Sequence, residues 1–255
     1  GALPANTVTI GLGGVNRIII ETGIGDDSLS IDLSDGIIPV PISFDGGDQD
    51  DALQVFGTPP VAITEVAYTP GPGNGQGRLA YDAASGADLT LDFANLEPVF
   101  DLVVAATLTV NGTNADNAIN YTQGSSVLTG LVSVDGFETI EFSNKTALVI
   151  NGLAGSDVIN LNNSSTPTGL TSITVNGGDP TASDTLIVNG VPGSADALRH
   201  NPTAQGAGTV VNDNVSQPDV PFTGIEHLRL VWQLADGDQV RLEGMSGKAP
   251  AQTRL

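Results

Sequence analysis

The chain has 255 residues and a formal net charge of −21, with eight Lys or Arg against 29 Asp or Glu. That balance makes nucleic acid an unsuitable partner, because phosphate neutralisation needs clustered Lys and Arg, and excludes attraction to an anionic membrane surface on the same ground. No apolar run approaches the ~20 residues of a membrane-spanning helix, and the absence of cysteine removes disulfides and thiolate metal sites.

Hydrophobic residues make up 40% of the chain, which supports a sizeable core. Only seven of the acids are Glu, and Gly and Pro number 32 and 15. Asp, Gly and Pro favour turns, so the composition predicts many short strands joined by tight corners. The first residues, "GALPAN", lack Met and are read as belonging to a longer, processed chain.

Taken in order, "RIIIETGIGDDSLSID" (17–32) alternates around Ile18, Ile20, Leu29 and Ile31, the period of half-buried strands. "ISFDGGD" (42–48) and "DALQVFG" (51–57) follow, then a Pro/Gly-rich stretch, "YTPGPGNGQGRLAY" (68–81). "GADLTLDFANLE" (86–97) reads as a strand, and "NLEPVFDL" (95–102) closes the cycle. The same five elements then return. "NGLAGSDVINL" (151–161) matches "TGIGDDSLSIDL" (22–33), with Gly155 on Gly25, Asp157 on Asp27, Ile159 on Leu29 and Leu161 on Ile31. "ITVNGGD" (173–179), "DTLIVNG" (184–190), "HNPTAQGAGTVV" (200–211) and "GIEHLRLV" (224–231) keep the order. Between the cycles lies a shortened copy, "NGTNADNAINY" (111–121) with "GFETIEF" (136–142), and a remnant, "LADGDQVRL" (234–242), follows the second. The organisation is therefore a first cycle over 1–107, a middle repeat over 108–147, a second cycle over 148–233 and a remnant with a tail over 234–255.

Strands this short bury an apolar face only by stacking on one another, so the fold is expected to be all-β, a parallel β-helix or β-solenoid. The intervals Asp27 to Asp51 and Asp157 to Asp184 suit single rungs with corner aspartates one above another. The segments 58–78 and 190–209 are expected to leave the stack as loops. The alternative is a pair of tandem β-sandwich domains linked near 103–110.

"TGIGDDSLS" (22–30) resembles the hemolysin-type calcium-binding nonapeptide G-G-x-G-x-D-x-L-x, with Thr22 at the first Gly, and "GGDQDDAL" (46–53) fits with Gln49 at the third. The wider cycle is similar to the degenerate Gly/Asp-rich repeat arrays of very large bacterial secreted and cell-surface proteins. The resemblance implies a β-rich rod, export and a structural or adhesive role. It departs from the pattern in having its motifs 24 or more residues apart, with Ala154 inserted in "NGLAGSDVI" and Asn117 in an Asp place. Calcium takes six to eight oxygen ligands. Asp26, Asp27, Asp48, Asp50 and Asp51 form one candidate Ca2+ set, and Asp157, Asp179 and Asp184 a second. Turn chemistry alone also places Asp beside Gly.

Glu97, Glu138 and Glu226 recur at one place in the "xLE" element, which suggests a turn contact in each copy rather than the close carboxyl pair of a glycosidase. His200 and His227 are the only imidazoles, no G-x-S-x-G elbow occurs, and "GMSGK" (244–248) fails as a phosphate loop. The bases, Lys145 among them, are scattered, and Trp232 suits packing better than a sugar platform. Six N-x-S/T sequons (Asn111, Asn120, Asn144, Asn162, Asn163, Asn214) and the acidity lean towards an extracellular or cell-surface setting, with glycans as a candidate partner. No catalytic set emerges. The expected function is a non-enzymatic structural module forming or decorating a surface layer, fibre or matrix by self-association into a filament or lattice. A calcium-dependent adhesion module and a β-helix carbohydrate-active enzyme are the alternatives.

Overall fold

A computed structural model describes residues 13–179, 183–233 and 237–242. The opening "GALPAN", residues 234–236 of the remnant and the tail from 243, including "GMSGK", lie outside the described residues. In chain order the strands are β1 (Ile18–Glu21), β2 (Ser28–Asp32), β3 (Ile42–Asp45), β4 (Ala52–Phe56), β5 (Ile63–Pro70), β6 (Gly77–Ala83) and β7 (Leu89–Ala94). They continue as β8 (Val99–Asp101), β9 (Ala105–Asn111), β10 (Ala118–Gln123), β11 (Gly130–Val134), β12 (Ile140–Phe142), β13 (Lys145–Leu153) and β14 (Val158–Asn162). The last are β15 (Ser172–Gly178), β16 (Thr185–Asn189), β17 (Ala197–Ala204), β18 (Ala207–Asn212), β19 (Val220–Thr223), β20 (His227–Val231) and β21 (Gln239–Leu242). The described residues contain no helix, so the all-β expectation holds.

The strands form two mixed sheets. A 12-stranded sheet has the order β1-β3-β7-β6-β5-β9-β13-β15-β19-β18-β17-β21, and a nine-stranded sheet the order β2-β4-β8-β12-β11-β10-β14-β16-β20. The chain crosses from one sheet to the other and back, and successive visits pair in parallel, as in β1 with β3, β2 with β4 and β14 with β16. Burial alternates along each strand, as in β4, β7 and β16, because period-two side chains point to opposite faces. The inward residues stack in columns: Ile119, Ile159, Leu186 and Leu228 face one another across paired strands of the nine-stranded sheet. Val110, Ile150, Val175 and Phe222 do the same in the 12-stranded sheet. One continuous core cluster runs from Ile31 to Ile225.

The parallel run is broken three times by a device the sequence reading missed. The chain skips ahead by two strand places, turns back through two antiparallel strands, and so fills the gap. These meanders are β5–β6–β7, β10–β11–β12 and β17–β18–β19. Segments 58–78 and 190–209 therefore do not leave the stack as loops: they contribute β5 and β17 whole, and the starts of β6 and β18, to the 12-stranded sheet. In β5 and β6 the inward residues Val66, Tyr68, Leu79 and Tyr81 are fully buried, and a turn rich in Gly and Pro joins the strands. The order β1-β3-β7-β6-β5-β9 recurs in β13-β15-β19-β18-β17-β21, and β2-β4-β8 in β14-β16-β20, so the duplicated sequence builds the same topology twice. The shortened middle copy places its meander in the nine-stranded sheet instead. Residues 103–110, a linker in the two-sandwich alternative, lie mostly in β9, which pairs with β5 on one side and β13 on the other.

Candidate functional site

One long edge of the molecule collects the corners where the chain leaves the 12-stranded sheet for the nine-stranded one. The repeated Gly-Gly-Asp sequence has a direct reason there. A Cβ on Gly177 would lie 2.6 Å from Asp184 Oδ2 and closer still to the Gly224 carbonyl. The second glycine, Gly178, has φ of +124° and packs its Cα against the Leu153 carbonyl of the preceding corner. The first glycine therefore leaves room for the corner carboxylate, and the second lets adjacent corners touch.

The corner residues are linked by hydrogen bonds in both directions, and one series of them ends on corner carboxylates. The Asp27 N–H donates to Asp51 Oδ1 at 2.7 Å. The Asn117 N–H donates to Asp157 Oδ1, the Asp157 N–H to Asp184 Oδ1, and the Asp184 N–H to Glu226 Oε2, each at 2.8 Å. In all four the donor belongs to the earlier corner in the chain. Asp51, Asp157 and Asp184 are fully buried, and Oδ2 of each has no hydrogen-bond partner. Burial pushes the Asp157 carboxyl up to about 6, against the Asn117 N–H that favours the anion, and Asp184, Asp116 and Asp135 push the same way as burial. Asp184 is raised chiefly by burial, with Glu226 and Asp179 adding to it. Asn117 occupies the same place as a neutral amide: its Oδ1 accepts the Thr113 N–H and its Nδ2 donates to Asp135.

The structure brings Asp27 beside Asp51, and Asp157 beside Asp184. It does not gather the candidate calcium ligands into cages. Asp26, Asp48, Asp50 and Asp179 are exposed, and Asp27 is half-buried. The backbone of Asp48 pairs with Gly23 and Gly25 of the preceding corner. Among the described residues no three His, Asp or Glu side chains converge as a metal group. The corner carboxylates direct one oxygen to a backbone N–H and the other to a glycine, which does not fit a six-to-eight-oxygen calcium shell. What the edge does carry is charge. Asp26, Asp27, Asp48, Asp50, Asp51, Glu97, Asp116, Asp135, Glu138, Asp157, Asp179, Asp184 and Glu226 occupy its corners and turns, and these described segments contain no Lys, Arg or His.

The recurring glutamates lie at the turns that lead into β8, β12 and β20. Glu226 takes the Asp184 N–H, Glu138 Oε1 takes the Thr139 N–H, and the Glu97 N–H donates to the Asp51 carbonyl. Burial raises the Glu138 carboxyl, opposed by the Thr139 N–H, with Glu97 adding to the rise. The imidazoles occupy separate places: His200 stacks on Phe222, and His227 Nε2 lies 3.0 Å from Ser183 Oγ. Trp232 is half-buried just beyond β20.

Two further features escaped the sequence reading. On the opposite edge, Lys145 is fully buried with Asp101, the two charged groups 3.1 Å apart. Lys145 Nζ also donates to the carbonyls of Val103, Ser143 and Asp101, and Tyr81 donates to Asp101 Oδ1 at 3.4 Å. Burial pushes Asp101 up and Lys145 down, while each partner restrains the other. Sequence offered one signal, a single charge inside each apolar run, "PVFDLV" and "NKTALV". The second feature is a pair of amide ladders. Asn176 donates to Asn151 and Asn151 to Asn111, at 2.8 and 2.9 Å. Asn189 donates to Asn160 and Asn160 to Asn120 in the other sheet, at 2.8 and 3.2 Å. Asn111 and Asn120, two of the sequon residues, are members of these ladders.

No family model, curated protein or solved structure matches the chain.

Proposed function

We propose that the chain is a stretch of β-solenoid acting as a non-enzymatic structural module of a cell-surface or extracellular layer, fibre or matrix, and that it works by self-association. The observation that carries this reading is the duplication at the level of topology. The same strand order is built twice on one core, with stacked side-chain columns and amide ladders running from strand to strand. Such an array is assembled from nearest-neighbour contacts and can be extended without redesign. Asp51, Asp157, Asp184 and Glu226 each accept a backbone N–H from a neighbouring corner, which supports a structural use of these side chains. Size-exclusion chromatography with light scattering on the purified chain, from micromolar to millimolar concentration, tests the reading. We expect species growing beyond the 25.9 kDa of one chain. A constant monomer mass across that range refutes it.

The acidic edge supports a second reading, in which divalent cations gather along it as counter-ions and stiffen an adhesion module. Stacked carboxylates repel, and a net charge of −21 adds self-repulsion that cations relieve. Melts in calcium, magnesium and sodium chlorides at equal ionic strength separate the cases. A rise of several degrees specific to calcium supports this reading, and equal melting temperatures eliminate it.

A further inference from the structure

The two ends of the paired sheets are open in the same manner. Among the described residues, β1 and β2 have a neighbour on one side only, and so do β20 and β21. Inward side chains at these ends, Ile18, Ile20 and Leu29 at one and Leu228 and Leu230 at the other, are only half-buried. Their counterparts one strand inwards, Ile42, Phe44, Leu53, Leu186 and Val188, are buried. Among the described residues these columns therefore stop on half-covered side chains, although Ile31 of β2 is itself buried.

Strand direction and charge select what can cover them. β2 runs parallel to β4, and β16 parallel to β20, so a strand added beside β20 in the sense of β2 continues the sheet without reversal. In the four contacts that join Asp27, Asn117, Asp157 and Asp184 to a carboxylate of the next corner, the donor N–H lies in the earlier corner, while the Ser156 N–H donates back to Asp116. The β1/β2 end carries Glu21, Asp26, Asp27, Asp32 and Asp35, and its one arginine, Arg17, is 3.5 Å from Asp92. Two such ends facing each other repel. β20 instead presents His227 and Arg229, both exposed, and Arg229 makes no ion pair among the described residues.

We propose that a second copy of this chain docks its β1/β2 end on the β20/β21 end, strand beside strand and in parallel, as a head-to-tail contact that does not close on itself. Aligning the two corners places Leu29 on Leu228 and Ile31 on Leu230, which extends the column Ile119–Ile159–Leu186–Leu228 into the next copy. Arg229 then stands beside Ser30 and diagonal to Asp32, a separation of about 7–8 Å between backbones that an Arg side chain spans. Heterologous contacts of this kind generate filaments rather than closed dimers.

This inference rests on the self-association reading, and its test separates the two. Sedimentation velocity over a concentration series is run on the full chain, on Arg229→Glu, on Asp32→Lys and on the double variant. Both positions are exposed, so the variants are expected to keep the wild-type circular dichroism. Each single reversal should raise the concentration needed for association by about tenfold, and the double variant should recover most of the loss, since both sides of every contact are exchanged. Wild-type association that neither single variant weakens overturns the end-to-end contact and leaves self-association standing through another face. A wild-type chain that stays monomeric at every concentration overturns both.

Discussion

At Asp157 burial, hydrogen bonding and charge oppose one another within a single carboxyl. Its folded pKa, about 6, lies above the ordinary carboxylate value of 3.8. The anion is therefore disfavoured by the fold, and the penalty is fully present above pH 6. It is relieved as pH falls through the folded value towards 4. Stability should rise on acidification from pH 8 to pH 5, and Asp157→Asn should flatten that rise and lift the melting temperature at pH 8 by several degrees. The amide keeps an oxygen for the Asn117 N–H, and Asn117 itself is an amide already housed at the equivalent place. Differential scanning fluorimetry of both proteins across that range decides the matter; an unchanged profile in the variant would assign the pH response elsewhere. Lys145 presents the opposite balance, a buried charge with all its partners in place. Lys145→Met strands the Asp101 carboxyl and should cost roughly 3–5 kcal/mol in urea unfolding, most of it recovered in the double variant Lys145→Met/Asp101→Leu. Equal losses in single and double variants would show that packing, not the stranded charge, sets the cost. The corner aspartates were legible because Gly, Asp and a following apolar residue recur at fixed spacing. The pairing of Lys145 with Asp101 was not, because 44 positions separate them and a lone charge in an apolar run does not name its partner.

Among the elements, the corners are the parts least tolerant of change. Gly177→Ala drives a methyl group into the Asp184 carboxyl and the Gly224 carbonyl, whereas a methyl on Gly136 meets nothing within 4 Å. We expect a loss above about 2 kcal/mol for the first substitution and a loss within about 0.5 kcal/mol for the second, read from denaturant midpoints. Comparable losses at both positions would remove the close-approach explanation of the Gly-Gly-Asp repeat. The strands on either side of these corners could be read from period-two alternation, as in "DTLIVNG" and "LTLDF". The hairpins could not. In β5 and β6 the alternation of Val66, Tyr68, Leu79 and Tyr81 is present, but Pro70, Pro72 and four glycines between 71 and 77 read as loop. In β17 only Leu198 is buried, so "ALRHNPTA" carries almost no periodic signal. The turn-back of each meander is a tertiary choice: a strand pairs with whichever neighbour completes the sheet, and local sequence does not encode which neighbour that is.

For the molecule as a whole, duplication in the sequence became duplication in topology, and the 12-stranded sheet spans about 50 Å at ~4.8 Å per strand. The parallel columns and the corner hydrogen bonds repeat from strand to strand along the described residues. The meanders modify the parallel stack without interrupting its core. Electron microscopy of the purified full chain at high concentration tests self-association, the central claim, most directly. The account predicts rods lengthened by end-to-end joining, or sheets of such rods, dissolving on dilution. A uniform field of separate particles, each the size of one chain at every concentration, would contradict it.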